Sequence, residues 1–398
     1  MDWHQEELNE HVRFIDYRGK TPPKVKDGIR LITAKNVKMG FINPEPKEFM
    51  DKNAFDGWMT RGTPHFGNVL FTTEAPLGNV AQLDTRETVV IGQRLITMQP
   101  DLTKIDPTFL KYLLMSPQTQ SEIHSRATGA TVLGIKAKLL KKLPICYPPL
   151  VEQQRIVAIL DEAFAGIDAA IANTQDNLTS ARELFESYLT SFFTQSTGDW
   201  TKVSLKDACS ITAKLVDPKE AEFQDFPHIG AGNMVSKTGA LENVLTARDE
   251  GLISGKFPFD RTMVLYSKIR PYLEKVCRPN FDGLCSADVY PLTPNPDYLT
   301  RDFLFYMLLS RHFTDYAVQG SGRAGMPKVN RTHLFKFTAK LPNIEKQSSL
   351  TTKLDELAKQ TQRLEAIYQQ KLNSLAELKH SILHKAFSGE LTPQEIAA

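Results

Sequence analysis

Apolar residues recur every three or four positions along two long stretches of the chain. In the first stretch this spacing runs through Val157, Leu160, Phe164, Ile167, Ile171, Thr174, Leu178, Ala181, Phe185, Tyr188 and Phe192. Such a 3,4 spacing is the heptad pattern of helices that pack along a narrow apolar seam. Prolines stand just before both stretches, at Pro148–Pro149 and at Pro342, where they disfavour an upstream helix. The pattern predicts one long helix after each of these prolines.

The second stretch has a less regular seam. It runs through Leu350, Leu354, Leu357, Thr361, Leu364 and Tyr368, and then changes phase to Leu372, Leu375 and Ile382. A phase change of this kind predicts a local change in the winding of a coiled coil. A single amphipathic helix of about 44 residues, roughly 65 Å long, is unstable by itself, so we expect the two helices to pair. The predicted seam consists of Leu160, Phe164, Ile167, Leu178, Leu354, Leu357, Leu364 and Leu372.

The two stretches are copies of each other, displaced by 194 residues. Leu160-Asp161-Glu162 falls on Leu354-Asp355-Glu356, and the matches continue as far as Phe193 on Phe387. The preceding regions also correspond, since NVLFTTEAPLGNV (68–80) lies on MVLYSKIRPYLEKV (263–276). A repeat on this scale predicts two equivalent units in one chain. We therefore expect residues 1–145 to form one head domain (head A), 146–198 a helical spacer, 199–341 a second head domain (head B) and 342–398 a second spacer.

Short β-type runs and capped helical runs alternate within both heads. GIRLITAKNV, NVLFTT and TMVLYSK resemble strands, whereas residues 106–123 and 301–317 have helical patterns. The predicted fold class of both heads is α+β.

Some apolar residues of the long helices lie outside the predicted seam. They are Ile156, Ile159, Phe193, Leu383 and Phe387. Two explanations stay open at this point: they contact a second protein, or they are buried against the head domains of their own chain. The alternative that both stretches are ordinary core helices is disfavoured by their length.

Composition narrows the class of protein without deciding it. The 398 residues are 41% hydrophobic and 24% charged, which is a globular composition. The polar, acidic N-terminus lacks the features of a secretory signal, and no apolar run reaches the length of a membrane span. The four cysteines form no CxxC pair, so we expect free thiols in a reducing cytoplasm.

Charge is distributed unevenly although the formal net charge is only +2. Residues 1–145 hold 20 Lys and Arg against 16 Asp and Glu, and residues 201–341 hold 19 against 15. Residues 146–200 instead hold 2 against 8. Two basic heads joined by non-basic helices favour binding to nucleic acid, with cations on phosphates and a few polar side chains at base edges. A solvated basic surface is the alternative for any single residue.

The candidate DNA-binding residues lie in loops where cations alternate with Gly, Pro, Tyr and Asn. In head A they are Arg18, Lys20, Lys24, Lys35, Asn36 and Lys38. In head B they are Asn233, Lys268, Arg270, Lys275, Arg323 and Lys328.

Motifs of a DNA-modifying enzyme are absent from the sequence. YPPL at Tyr147 lacks the Asn or Asp of an adenine-methyltransferase motif, and GAGNMVSKT (230–238) lacks the glycine that a phosphate loop has before its lysine. His380 and His384 are four residues apart but are not the pair of an HExxH zinc site. No metal site and no catalytic set are predicted.

Several segments together resemble the specificity subunits of type I restriction-modification systems. PLVEQQRIVAILDEAFAGID (149–168) is similar to the start of the family's long helix. DYRGKTPPKVKDGIRLITAKNVKMGFI (16–42) is similar to its recognition domains, TGATVLGIKAKLLKKLPICYPP (128–149) to the approach to the helix, and LHKAFSGEL (383–391) to its C-terminal end. The second helix start, LPNIEKQ, departs from the pattern because it lacks the second proline and the Gln-Gln pair.

The resemblance implies an α+β chain with two α/β target-recognition domains separated by two long antiparallel coiled-coil helices, in a pseudo-twofold internal repeat. It implies a non-catalytic subunit that reads a bipartite DNA site, one half with each head. It also implies two methyltransferase subunits docked on the helices and ATP-driven restriction subunits, so that S-adenosylmethionine, ATP and Mg²⁺ belong to these partners. Two other classes stay open. An adaptor without a DNA role would show little salt dependence in ligand binding, and a standalone enzyme would bind S-adenosylmethionine by itself.

Overall fold

The computed structural model describes residues 3–19, 22–194, 200–322 and 325–390. The chain divides into two compact units. Unit 1 comprises Met1–Thr174 together with Gln370–Ala398, and unit 2 comprises Gln175–Gln369. Each unit therefore combines one head with parts of both long helices.

Head A is built from short strands and helices. Its strands are β1 (His4–Glu7), β2 (Val12–Asp16), β3 (Lys24–Val25), β4 (Ile29–Ile32), β5 (Glu48–Met50), β6 (Val69–Thr73), β7 (Leu77–Gln82), β8 (Val89–Ile91), β9 (Leu95–Pro100) and β10 (Pro144–Tyr147). Its helices are α1 (Phe55–Trp58), α2 (Pro107–Met115), α3 (Pro117–Ser125) and α4 (Ala137–Lys141). The long helix α5 (Leu150–Thr194) follows directly.

Two four-stranded sheets pack face to face in head A. One has the order β2-β9-β6-β7 and is antiparallel throughout; the other has the order β3-β5-β4-β8, with β4 and β8 parallel. Successive side chains of a strand point to opposite faces. Val69 and Phe71 therefore pack with the helices, while Leu70 packs with the second sheet. Burial on both faces explains why β6 is apolar without alternation.

Head B repeats this plan. Its strands are β11 (Thr201–Ser204), β12 (Cys209–Ser210), β13 (Pro227–Ile229), β14 (Leu245–Thr246), β15 (Phe257–Phe259), β16 (Val264–Ser267), β17 (Val276–Cys277), β18 (Gly283–Cys285), β19 (Val289–Pro294) and β20 (Thr338–Leu341). Its helices are α6 (Leu205–Ala208), α7 (Arg301–Leu309), α8 (Arg311–Gln319) and α9 (Arg331–Lys336), followed by the long helix α10 (Ile344–Ser388).

The second sheets of the two heads differ at both edges. Head B has the orders β12-β19-β16-β17 and β14-β13-β18-β15, and β13 and β18 are parallel like β4 and β8. Head A extends its second sheet with β3 beside β5, whereas head B extends it with β15 on the opposite edge, beside β18. The common core is therefore kept while the border strands vary.

The predicted single helix over 106–123 is two helices. The chain breaks at Ser116, whose backbone is extended (φ −62°, ψ 145°), because Pro117 disfavours a helical conformation in the preceding residue. The Ser116 hydroxyl then caps α3 by accepting from the backbone N–H of Thr119. Head B has the same break at Ser310 between α7 and α8 without a proline, and the Ser310 hydroxyl caps α8.

The long helices begin where the prolines predict, at Leu150 and Ile344, and each has 45 residues. Leu160, Phe164, Ile167 and Leu354 of the predicted seam are buried, and Leu178, Leu357 and Leu372 are half-buried. Leu364 was placed in the seam wrongly, since 42% of it is exposed. In the described part of the chain, no helix combines the length and apolarity needed to cross a lipid bilayer.

The phase change predicted in the second helix is absent. Its half-buried and buried positions continue in heptad spacing from Thr351 to Lys379 at Leu354, Ala358, Thr361, Glu365, Tyr368, Leu372 and Leu375. Glu365 and Lys379 occupy this seam as charged residues, and each pairs with α5. The Glu365 carboxylate lies 3.3 Å from Arg182 in unit 2, and the Lys379 ammonium lies 2.7 Å from Asp168 in unit 1.

The helices run antiparallel in unit 2. Arg182 of α5 pairs with Glu365 of α10. Phe185 is one turn later in α5 and lines the same cavity as Ala358 and Gln362, which precede Glu365 in α10.

Four of the five apolar residues outside the predicted seam pack against the chain's own heads. Ile156 and Leu383 belong to the core of unit 1, and the Phe387 ring lies 5.3 Å from that of Phe109. In unit 2 the Phe193 ring lies 5.3 Å from that of Phe303. Ile159 is half-buried. Packing within the chain is therefore the correct alternative for four residues, Ile156, Phe193, Leu383 and Phe387.

Candidate nucleic-acid interface

A buried glutamine fixes the start of α5 to head A. Gln153 has no exposed surface. Its Nε2 donates to the carbonyls of Lys104 and Pro148 at 2.8 Å each, and its Oε1 accepts from the backbone N–H of Asp106 at 2.9 Å. Asp106 is the residue that caps α2. The side chain therefore fixes the start of α5 against the start of α2.

Gln347 makes the same three contacts in unit 2. Its Nε2 donates to the carbonyls of Tyr298 and Pro342, and its Oε1 accepts from the backbone N–H of Thr300, which caps α7. The second helix start therefore retains the glutamine that the docking uses. The missing member of the Gln-Gln pair corresponds to Gln154, which is exposed. The departure of LPNIEKQ from the pattern is thus of no structural consequence at this contact.

A tyrosine–aspartate hydrogen bond secures each helix about two turns further along. The Tyr112 hydroxyl donates to Asp161 at 2.5 Å, and the Tyr306 hydroxyl donates to Asp355 at 2.6 Å. In both cases burial, together with the neighbouring aspartate, raises the pKa of the tyrosine. Unit 2 adds Arg278, whose guanidinium contacts both Asp302 and Asp355 and lies over the Phe305 ring. These contacts fix the orientation of each head on the helices.

Asn36 and Asn233 close equivalent turns, Asn36 from a fully buried position and Asn233 from a half-buried one. Asn36 is fully buried; its Oδ1 accepts from the Thr33 backbone, and its Nδ2 donates to the carbonyls of Asn43 and Pro46. The Asn233 amide similarly accepts from Gly230 and donates to Glu242 and Asn243. Because both ends of each amide are already bonded, we correct their predicted role from base contact to loop closure.

The remaining basic candidates of head A are dispersed. Arg18 forms a two-pronged pair with Asp16, at 2.7 and 2.9 Å, and lines a cleft at the end of β6. These hydrogen bonds outweigh the effect of burial and lower the pKa of Asp16. Lys24 is on β3 and pairs with Glu48 at 2.7 Å. Lys35 is exposed and Lys38 half-buried in the turn after β4. Lys20 lies outside the described residues.

Three basic candidates of head B are brought together. Lys268 and Lys328 both pair with Asp288, at 3.1 and 3.3 Å. Arg270 is exposed beside them, and its backbone N–H donates to the Pro327 carbonyl. Lys275 instead donates to the Ala231 carbonyl at 2.6 Å. Arg323 lies outside the described residues.

Asp288 is the electrostatic centre of this group. Burial by itself would raise the pKa of Asp288, but the hydrogen bonds from Lys268 and Lys328 outweigh it, so that the pKa is lowered. The carboxylate therefore stays ionised and holds two cations at one edge of head B. Two lysines on one carboxylate leave a net positive charge, which suits contact with a phosphate or a base acceptor.

One group of possible metal ligands is found among the described residues, formed by Glu6, Glu10 and His11. The Tyr147 hydroxyl donates to Glu6 at 2.5 Å, and the His11 ring also contacts Glu6. Glu6 and His11 are thus already bonded to each other, and we assign no metal to this group.

A family model described as "Type I restriction modification DNA specificity domain" matches the chain twice, over residues 60–179 and 197–374. The two matches fall on the two copies of the repeat and cover more than half of the sequence. The chain belongs to this family.

The relatives of this specificity-domain protein agree with that assignment. It is 27% identical over 335 residues to the type I restriction enzyme EcoDI specificity subunit of Escherichia coli, which covers 76% of this chain and 73% of the relative. It is 22% identical over 330 residues to the StySPI specificity subunit of Salmonella potsdam, covering 73% of this chain and 66% of that one.

Solved structures share the fold. A chain of a type I R-M system, studied for its complex assembly and conformational transition, superimposes with a TM-score of 0.76 at 19% identity over 98% of both chains. The HsdS subunit from Thermoanaerobacter tengcongensis gives 0.56, also at 19% identity, over 98% of this chain and 97% of that one. The predicted fold class is confirmed, and the family match favours DNA specificity over the adaptor.

Proposed function

We propose that this chain is the DNA-reading subunit of a type I restriction-modification complex. Head A reads one half of a bipartite site in double-stranded DNA and head B reads the other half. The chain itself is non-catalytic. S-adenosylmethionine, ATP and Mg²⁺ are bound by the partner subunits, and the complex works in the cytoplasm, where the DNA of the cell is found.

The observation that carries the proposal is the double family match on a duplicated chain. Each copy attaches its head through the same buried glutamine and the same tyrosine–aspartate bond, yet the exposed polar side chains of the heads differ. A constant attachment with variable surfaces is what two different half-sites require. The residues proposed to contact DNA are Arg18, Lys20, Lys24, Lys35, Lys38, Lys268, Arg270, Lys275, Arg323 and Lys328.

The long helices are proposed to serve two further purposes. They act as a spacer that sets the separation of the half-sites, on the order of one helical turn or ~10 bp. They also carry two methyltransferase subunits, which restriction subunits then join. Large apolar side chains support a docking role for the helices, since Leu184 is 63% exposed, Ile367 48% and Leu378 47%.

The test is methylome sequencing of cells that express this chain with the neighbouring methyltransferase gene, compared with cells that lack this chain. We expect adenine methylation at one split motif with a fixed spacer. If an active methyltransferase gives no new motif in the presence of this chain, the proposal is wrong.

A binding measurement separates DNA reading from adaptor function. The affinity of the assembled complex for DNA containing the motif should fall steeply as salt rises, because counterions are released from the phosphates on binding. A salt-independent affinity would contradict phosphate contact by the heads.

A further inference from the structure

Each head contains a polar cleft at an equivalent position. In head A a cleft of about 400 Å³ is lined by residues that include Arg18, Glu74, Gln93, Arg94 and Lys136. In head B a cleft of about 280 Å³ is lined by residues that include Lys268, Tyr290, Lys328 and Asn330. Both clefts lie where the central strand of the first sheet ends, at Thr73 and at Ser267.

The two clefts share one pattern of backbone hydrogen bonds, which we call the backbone frame. In head A the Thr73 N–H donates to the Arg94 carbonyl at 2.9 Å, and the Thr73 carbonyl accepts from the Ile135 N–H at 2.9 Å. In head B the Lys268 N–H donates to the Asp288 carbonyl at 3.0 Å, and the Lys268 carbonyl accepts from the Val329 N–H at 2.8 Å. Thr73 therefore corresponds to Lys268, and Arg94 corresponds to Asp288.

The side chains on this frame have opposite charges. Arg94, just before β9, pairs with Glu74 at 3.1 Å. Asp288, just before β19, pairs with Lys268 and Lys328. The Arg94 and Glu74 side chains are 49% and 45% exposed, so both can exchange this pair for an external partner. Asp288 pairs through Oδ1 with both lysines that line the head B cleft, and its side chain is 39% exposed. The frame position thus carries a forked donor in one head and a partly exposed carboxylate acceptor in the other.

We propose that these two clefts read base edges of the two half-sites, and that Arg94 and Asp288 are specificity-determining residues. This inference rests on the proposed function. A guanidinium donates in fork geometry to O6 and N7 of guanine, whereas a carboxylate accepts from N4 of cytosine. Because equivalent positions carry a donor in head A and an acceptor in head B, we expect each head to select a different base in its half-site. None of Glu74, Arg94 and Asp288 belongs to the basic loops that the sequence pattern singles out.

The test uses one substitution in each head, Arg94→Asn and Asp288→Asn, in the chain expressed with its methyltransferase subunits. Asparagine suits position 94 because Arg94 has a φ of +70°, which asparagine tolerates. At position 288 it removes the charge and keeps the shape. Each variant is the control for the other, because the half-site read by the unmodified head should stay unchanged.

We expect each variant to lose discrimination at one base position of its own half-site, by about 10- to 100-fold in competition between duplexes that differ at that base. Arg94→Lys, which keeps the charge and loses the fork, should lose discrimination similarly. If the motif is unchanged in both variants while methylation continues, the clefts do not read bases, although the proposed function stands. If the unmodified complex recognises no motif, the proposed function itself fails.

If a variant loses all methylation, binding of the assembled complex to DNA is measured instead. Duplexes altered only in the half read by the intact head should still weaken binding of the assembled complex. Loss of that response as well would show that the substitution damages the fold, and Arg94→Lys or an Asp288→Glu variant then decides the question. Retained discrimination in those conservative variants at the expected base would overturn the forked-donor role of Arg94 but not the acceptor role of Asp288.

Discussion

Gln153 and Gln347 show how one side chain can connect two elements without being recognisable as functional. Each is completely buried and satisfies one N–H and two carbonyls that would otherwise have no partner. An unsatisfied buried polar group costs more than a hydrogen bond contributes, so such a residue is difficult to replace. This explains why the glutamine persists in a second helix start that has lost most of the surrounding pattern.

Replacement of this glutamine should destabilise unit 1. Gln153→Ala leaves the Asp106 N–H and the carbonyls of Lys104 and Pro148 unpaired, and we expect the free energy of unfolding to fall by about 3 kcal/mol. The matched control is Gln154→Ala, at the adjacent exposed position, which should change it by less than ~0.5 kcal/mol. Chemical denaturation of both variants measures the difference. An equal change in the free energy of unfolding for both variants would show that the hydrogen bonds of Gln153 do not stabilise unit 1.

His228 should make the stability of unit 2 depend on pH. It is 6% exposed on β13, and its Nδ1 lies 2.8 Å from Glu250. Burial lowers the pKa of His228 below its ordinary value of 6.5, the nearby Lys256 acts in the same direction, and together they outweigh Glu250. The unfolded chain then binds a proton at a higher pH than the folded chain does. The free energy of unfolding should therefore fall as pH decreases through about 6.5.

The check on this histidine is a comparison with His228→Gln. Denaturation of both chains between pH 8 and pH 5.5 should show a smaller decrease in the variant, since the other titrating groups are common to the two. A decrease of the same size in both chains would exclude His228 as its source.

The long helices show why a seam can be misread at the level of the element. Glu365 and Lys379 occupy seam positions and pair with α5, so a search restricted to apolar residues skips them. Leu364 is apolar and adjacent to Glu365, so an apolar pattern places Leu364 in the seam although it is 42% exposed. The structure removes the phase change and makes the seams of the two helices equivalent.

Two leucines of α10 test the corrected seam. Leu354 is fully buried, and we expect Leu354→Ala to lower the free energy of unfolding by about 2–5 kcal/mol through lost burial and the resulting cavity. Leu364→Ala makes the same chemical change at an exposed position and should cost less than ~0.5 kcal/mol. The intrinsic helix propensities change equally, so the difference reports burial alone. Denaturation midpoints measure it, and similar losses at both sites would restore the original seam.

The elements differ in how far the sequence could predict them. Helix starts were predictable because Pro148–Pro149 and Pro342 act locally. The break at Ser116 is also marked locally, by Pro117, whereas the equivalent break at Ser310 has no proline and could not be predicted in this way. The candidate site was predicted least well. Lys268 and Lys328 are predicted from the sequence as cations. The pairing of Arg94 with Glu74 in head A, and of Asp288 with both lysines in head B, depends on strand pairing, which no local pattern encodes.

At the scale of the whole molecule, the largest buried cluster of each head includes residues from both long helices. The core of unit 1 includes Leu383 and Ala386 from α10, although these residues lie more than 190 positions from the end of head A at residue 145. The Phe387 ring also packs against that of Phe109. The second helix therefore completes the unit of the first head, and the chain's two repeats exchange helical segments.

This exchange predicts the behaviour of fragments. A fragment of residues 1–174 lacks the segment that covers Phe109 and Ile156, whereas the same fragment joined to residues 370–390 by a Gly/Ser linker contains it. Burial of three apolar side chains should raise the free energy of unfolding of the linked fragment by on the order of 4 kcal/mol. Leu383→Asp with Phe387→Asp in the linked fragment provides the control and should abolish the gain. Denaturation curves compare the three fragments; equal stability of the unlinked and linked fragments would mean that head A is complete without α10, and that the repeats are independent folding units after all.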